Sequence, residues 1–146
     1  MTRKISMAVA KIAHGSKDHV ILGNLSVVKD WGYSRDYVDD MWKMLQRNYP
    51  DDFVLSTNET HKVKEFAQAA FRIIWKSVTW KGSGVNEVGL SEDGETLVKA
   101  SREFFRPLES DNYRGDYSKA RKKIGWEPKT KFKDLVNIMV NGDLKR

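Results

Sequence analysis

The chain has 146 residues, of which 40% are hydrophobic and 32% are charged, and its formal net charge is +6. This length and composition predict one folded, soluble domain and exclude a largely disordered chain. Because there is no cysteine, disulfide bonds and thiolate chemistry are excluded. The sequence shows no signal-peptide pattern and no apolar run long enough to span a bilayer, so the expected compartment is the cytoplasm.

Helical and strand-like patterns alternate along the chain, and no repeat or proline-rich linker divides it. Helices are predicted where apolar residues recur every three or four positions, and strands where short apolar runs end at turn residues. The predicted helices run from Thr2, the expected N-cap, to Gly15 and over 37–49, 63–75, 117–125 and 132–140, and the predicted strands cover 19–22, 52–56 and 78–80. Segment 82–99 is expected to be irregular or a hairpin. We therefore predict one α/β domain with three or four short strands.

Some polar and charged residues have specific structural expectations. Thr130 is expected to cap the last helix, and Asp36 to begin the helix that includes Tyr37. Asp30 is expected to accept hydrogen bonds from backbone groups in a tight turn. The densest cationic run, 119–123, is followed by further lysines and alternates with apolar residues, as in helices with a solvated outer face. The net charge would also suit an anionic ligand, either a nucleic acid or a nucleotide pyrophosphate.

Three groups of motifs occur in a fixed order along nearly the whole chain. They are Thr2-Arg3-Lys4-Ile5; then Leu22-Gly23-Asn24-Leu25, Lys29-Asp30-Trp31-Gly32-Tyr33, Asp36-Tyr37-Val38 and Asp51-Asp52-Phe53-Val54-Leu55-Ser56-Thr57; then Phe105-Arg106-Pro107-Leu108-Glu109, Gly115-Asp116, Lys119-Ala120 and Gly125-Trp126-Glu127-Pro128. In this order and spacing the chain resembles the GDP-mannose 4,6-dehydratases, which are extended short-chain dehydrogenases/reductases.

The resemblance implies a fold class and a reaction. The expected fold is a small mixed α/β domain of helices with a few short strands, like the C-terminal lobe of those enzymes and without a complete Rossmann domain. Residues 1–146 would form a single nucleotide-sugar-binding lobe. The family oxidises the sugar of GDP-mannose at C4 with NADP, eliminates water across C5–C6 and returns the hydride to C6.

The resemblance also implies four substrate-binding residues and no catalytic ones. Lys4 would face the diphosphate, Lys29 stands where the family has a phosphate-binding arginine, Arg106 would reach the pyrophosphate, and Glu109 would accept hydrogen bonds from the nucleotide. Pyrophosphate suits converging cations, and a guanidinium binds it through two parallel hydrogen bonds, whereas a lysine is a point charge. A carboxylate can accept from a guanine edge or a ribose hydroxyl. The alternatives are a solvated helix lysine, a surface lysine and a structural ion pair, respectively, for Lys4, Lys29 and Arg106.

Two signatures of the family's chemistry are missing from this sequence. No Gly-x-Gly-x-x-Gly occurs, because Gly82-Ser83-Gly84 is followed by Val85, Asn86 and Glu87. No tyrosine has a lysine four positions later. We therefore expect the NADP site of the full-length family to lie outside this chain. The three histidines lack metal-ligand spacing, so no metal site is expected.

Three functional hypotheses remain at this point. The first is a truncated or split dehydratase that contributes substrate binding, is inactive alone and meets a separate cofactor-binding lobe or forms a homo-oligomer. An exposed face around Trp31, Tyr37 and Trp42 would pack on that lobe. The second is a stand-alone module that senses GDP-mannose or a related nucleotide-sugar. The third is a small basic nucleic-acid-binding protein, which rests on charge alone.

Overall fold

The computed structural model describes residues 1–106 and 114–146. Within these ranges the α-helices are α1 (Thr2–Ala13), α2 (Ser34–Leu45), α3 (Val63–Ile73), α4 (Ser118–Ile124) and α5 (Phe132–Leu144). The strands are β1 (Val20–Leu22), β2 (Val28–Lys29), β3 (His61–Lys62), β4 (Thr79–Lys81), β5 (Val88–Leu90) and β6 (Thr96–Ala100). None of the helices in the described ranges has the length and apolar character that a bilayer crossing requires.

The strands form two small sheets. The larger has the order β1-β6-β5-β4, in which β1 and β6 are parallel and the other neighbours are antiparallel. The smaller sheet pairs β2 with β3 in antiparallel register. The segment expected to be irregular or a hairpin is the β5–β6 hairpin, preceded by a single 3-10 turn at Gly84–Asn86. The mixed α/β fold is thus confirmed, with more and shorter strands than the sequence predicts.

The core lies where α1, α3 and α5 pack against one another and against β1 and β6. Phe66 and Phe71 of α3 and Ile5 and Val9 of α1 are fully buried there. Their spacing follows the apolar stripes that the sequence shows, because residues three and four apart share a helix face. Asp143, buried at the end of α5, is held by the Ser6 hydroxyl of α1 at 2.7 Å, which fastens the two helices together.

Helix starts depart from the sequence expectations in two places. The N-cap of α1 is Met1, with Thr2 already helical, and the N-cap of α5 is Lys131. Thr130 therefore does not cap α5. Its backbone N–H instead donates to Asp36, which lies inside α2 because that helix begins at Ser34. Both residues thus take part in a long-range hydrogen bond and not in the local capping contacts that their sequence positions predict.

The strand predicted at 52–56 is absent, because this segment has no regular secondary structure and pairs with no strand in the described chain. Its burial is also uneven: Ser56 is buried, whereas Val54 is 55% exposed. Thr57 and Asn58 follow this segment, and their backbone N–H groups donate hydrogen bonds to the Asp30 carboxylate. Asp30 thus does accept backbone bonds, although from a loop distant in sequence.

One face of α2 carries its apolar residues into solvent. Val38, Met41, Trp42 and Leu45 share this face and are 55–81% exposed. Trp31 and Tyr37, expected to share an exposed face with Trp42, are instead half-buried against residues of the chain itself. The cationic face of α4 is solvated as expected, since its lysines and arginine are exposed.

Candidate functional site

An open pocket of about 360 Å³ lies beyond the end of β1, beside the first turn of α1. Its cationic lining residues are Lys4, from α1, and Arg106, which follows β6. Leu22 and Gly23 line it where β1 ends, because parallel β1 and β6 finish at the same edge of the sheet. The structure therefore brings together two cations that lie about a hundred positions apart in the sequence.

The Lys4 side chain rests on an aromatic ring. Its Nζ atom lies 4.3 Å from the centroid of the Phe104 ring, within the range of a cation–π contact. Phe104 also lines the pocket and is 45% exposed. A ring face attracts an ammonium group without neutralising its charge, so Lys4 stays available to an anion.

A turn at 101–104 supports this ring. The Ser101 N–H donates to the Leu22 carbonyl at 2.8 Å, and the Phe104 N–H donates to the Ser101 carbonyl at 3.2 Å. The turn sits so close to β1 that a Cβ atom at Gly23 would lie 2.2 Å from the Phe104 carbonyl oxygen. The glycine of the Leu-Gly-Asn motif is thus required for the turn to reach the pocket.

Lys29 is not among the described residues that line this pocket. It ends β2, pairs in register with His61 of β3 and is half-buried. Glu109 lies outside the described residues. Of the four residues that the sequence suggests for substrate binding, the structure brings together Lys4 and Arg106. It adds Gly23 and Phe104, which sequence reasoning missed as site residues; Gly23 is in a quoted motif, but nothing in the sequence shows that Phe104 contacts Lys4.

The pKa shifts fall outside the pocket. Burial raises the pKa of Tyr37, and the nearby charges of Asp30 and Asp36 raise it further. The side-chain hydrogen bond from Lys119 lowers the pKa of the exposed carboxyl of Asp51. Within residues 1–106 and 114–146, no three histidine or carboxylate side chains cluster as a metal site would require. The pocket lining carries the cations Lys4 and Arg106 beside the carboxylate of Glu103, and the chemistry that the two cations offer is the binding of an anion.

The fold is shared with enzymes that bind nicotinamide cofactors. The chain superimposes with a TM-score of 0.77 on the structure of RMD from Pseudomonas aeruginosa complexed with NADPH, covering 99% of this chain and 42% of that one at 14% identity. The structure of the UDP-glucose 4-epimerase from Bifidobacterium longum in complex with NAD+ and UDP gives a TM-score of 0.65 at 18% identity. This match covers 97% of this chain and 39% of the epimerase chain. These likenesses define the class of fold, that of extended short-chain dehydrogenases/reductases.

Sequence comparison then gives the family. A sequence model described as GDP-mannose 4,6 dehydratase matches residues 1–139. The chain is 47% identical to the GDP-mannose 4,6 dehydratase of Drosophila melanogaster and 44% identical to that of Homo sapiens, in both cases over 99% of its own length. It belongs to the GDP-mannose 4,6 dehydratase family. It spans 37% and 39%, respectively, of the length of these two relatives.

Proposed function

We propose that this chain is the nucleotide-sugar-binding lobe of a GDP-mannose 4,6-dehydratase and binds the pyrophosphate of GDP-mannose through Lys4 and Arg106. The observation that carries the proposal is the convergence of these two cations on one pocket. A lysine supplies a point charge and an arginine a bidentate fork, and together they suit the two phosphates of a nucleoside diphosphate. Lys29 and Glu109 remain predicted ligands of the same substrate.

The binding test is a calorimetric titration with GDP-mannose. We expect a submillimolar dissociation constant, which corresponds to a binding free energy on the order of −4 kcal/mol or better. Arg106→Ala should abolish binding without unfolding the chain, because Arg106 is exposed. Arg102→Ala is the matched control, since Arg102 is an exposed arginine that does not line the pocket. Equal affinity in Arg106→Ala and the unmodified chain would refute the assignment.

We further propose that the NADP of the family is held by a different lobe, so that the described lobe is inactive alone. Supporting this, the one parallel strand pair in the described chain is β1 and β6, and a turn leading to β2 follows β1. A dinucleotide site of the Rossmann type needs a glycine-rich turn that opens a helix directly after a parallel strand. The described residues do not fit that requirement, and no step of the reaction is assigned to them.

The apolar face of α2, formed by Val38, Met41, Trp42 and Leu45, is the surface on which we propose that the cofactor-binding lobe packs. The relatives are more than twice as long as this chain, so the family's enzymes contain a large portion that this lobe would meet. Large apolar side chains grouped on one exposed helix face are typical of a surface that another polypeptide segment covers. Segment 52–56, which pairs with no strand in the described part of the chain, follows α2 in the sequence.

The packing is tested by co-expressing the chain with the portion of the human relative that it does not cover. The two should elute together, and Trp42→Glu should separate them. Ile138→Glu is the matched control, because Ile138 is another exposed apolar helix residue, 44% exposed on α5. Self-association of the unmodified chain that Trp42→Glu abolishes, with no capture of the human portion, would instead assign this face to a second copy of the chain.

A further inference from the structure

We propose that Phe104 is a positioning residue that holds the Lys4 ammonium toward the diphosphate pocket and thereby sets the affinity of that pocket. The inference rests on the proposed function, since it requires the pocket to bind a diphosphate. Lys4 Nζ lies 4.3 Å from the Phe104 ring centroid, and both residues line the pocket together with Arg106. Phe104 acts through Lys4 and needs no contact of its own with the ligand.

The Lys4–Phe104 pair stands between two adjoining pockets. Both residues also line a second pocket of about 600 Å³, which extends along α1 and includes Asp18 in its lining, whereas Glu103 lines both pockets. A lysine side chain is long and flexible, and an ion pair with Asp18 or Glu103 would neutralise the charge of the ammonium. Among the described residues, no carboxylate lies within 4.0 Å of Lys4 Nζ. In the described part of the chain, the Lys4 ammonium thus contacts the neutral Phe104 ring and no carboxylate.

The backbone that carries the Phe104 ring is held by local contacts. Hydrogen bonds join Ser101 to Leu22 and Phe104 to Ser101, and Gly23 lets the Phe104 carbonyl approach β1. Arg106 follows two residues later. A ring carried on this turn gives Lys4 a preferred direction, which lowers the conformational entropy that the ordering of Lys4 on a ligand would cost. The expected gain is about two- to five-fold in affinity, the range of an exposed cation–π contact.

The first test is made on the ligand-free chain. With carbon-13-labelled lysines, the ε-methylene protons of Lys4 should resonate upfield of ordinary lysines because of the Phe104 ring current, and Lys4→Arg identifies the signal. Phe104→Leu should abolish the shift, whereas Phe104→Tyr should preserve it. Lys4 signals at the ordinary lysine position in the unmodified chain would overturn the proposal.

The second test is a double-mutant cycle read by GDP-mannose affinity. Phe104→Leu should weaken binding about two- to five-fold, and Phe104→Tyr should restore it. In a Lys4→Gln background, Phe104→Leu should have no further effect, because its partner cation is gone. An equal loss in both backgrounds would show that Phe104 does not act through Lys4. If the unmodified chain binds no GDP-mannose, the proposed function fails and the affinity part of this inference fails with it, while the Lys4 signals still decide the contact.

Discussion

The Asp36 carboxylate accepts a 2.8 Å hydrogen bond from the backbone N–H of Thr130, 94 residues further along the chain. The same oxygen accepts from Lys129 at 3.1 Å, and the Asp36 carbonyl accepts from the Trp126 indole at 3.2 Å. One acidic residue in the first turn of α2 therefore fastens this helix to the segment between α4 and α5. The chain thus anchors α2 on one side while its apolar face stays in solvent.

Asp36→Ala should lower the free energy of unfolding by about 1–3 kcal/mol, because two backbone N–H groups lose a charged acceptor. Chemical denaturation followed by circular dichroism measures the loss. Asp39→Ala is the control, since Asp39 is an exposed acidic residue on the same helix. Equal loss in the two variants would mean that the Asp36 contacts contribute nothing specific to stability.

Ser56→Ala should leave stability unchanged or raise it by about 1 kcal/mol. The Ser56 hydroxyl is buried and has no hydrogen-bond partner among the described residues, so its removal relieves a desolvation cost.

Gly115→Ala should destabilise the chain, because the added Cβ would lie 2.3 Å from the Ser56 Cβ. Thermal unfolding of the two variants distinguishes these effects. A marked loss of stability in Ser56→Ala would reveal a bond that the hydroxyl makes.

Tyr37 should ionise at higher pH than a free tyrosine, because burial and then the charges of Asp30 and Asp36 raise its pKa. As pH rises, the unfolded chain loses this proton first, so the contribution to stability is present below the ordinary tyrosine pKa and is lost as pH rises through the raised one. The difference in tyrosinate absorbance between the unmodified chain and Tyr37→Phe gives the transition. A midpoint at or below that of N-acetyltyrosinamide would contradict the expectation.

Local sequence pattern predicts the helices of the core well. The stripe of α3, with Phe66 and Ala70 fully buried, is readable because a helix buries one face whatever its neighbours are. The strand prediction at 52–56 fails because a strand needs a partner strand, and the apolar pattern alone does not guarantee one. The predictions that Thr130 caps α5 and that Asp36 begins α2 fail because capping rules consider only adjacent residues, whereas the hydrogen bond between these two residues spans most of the chain.

In the candidate site, too, motif residues can be predicted from the sequence, whereas contacts that depend on long-range packing cannot. The resemblance suggests Lys4 and Arg106 from their motifs, and the parallel pairing of β1 with β6 explains why they meet at one edge. Phe104 carries no sequence signal for its contact, because that contact depends on how the turn at 101–104 packs against Gly23. Lys29 has its place in a motif, but β2 pairs it with His61 and not with the pocket lining.

The most direct test of the central claim is an amide nitrogen–proton NMR titration of the chain with GDP-mannose. We expect a dispersed spectrum in which the amides of Lys4, Gly23, Asn24 and Arg106 shift and saturate at submillimolar ligand, while those of α5 stay in place. A dispersed spectrum in which the pocket amides do not move would contradict the claim that this lobe binds the nucleotide-sugar.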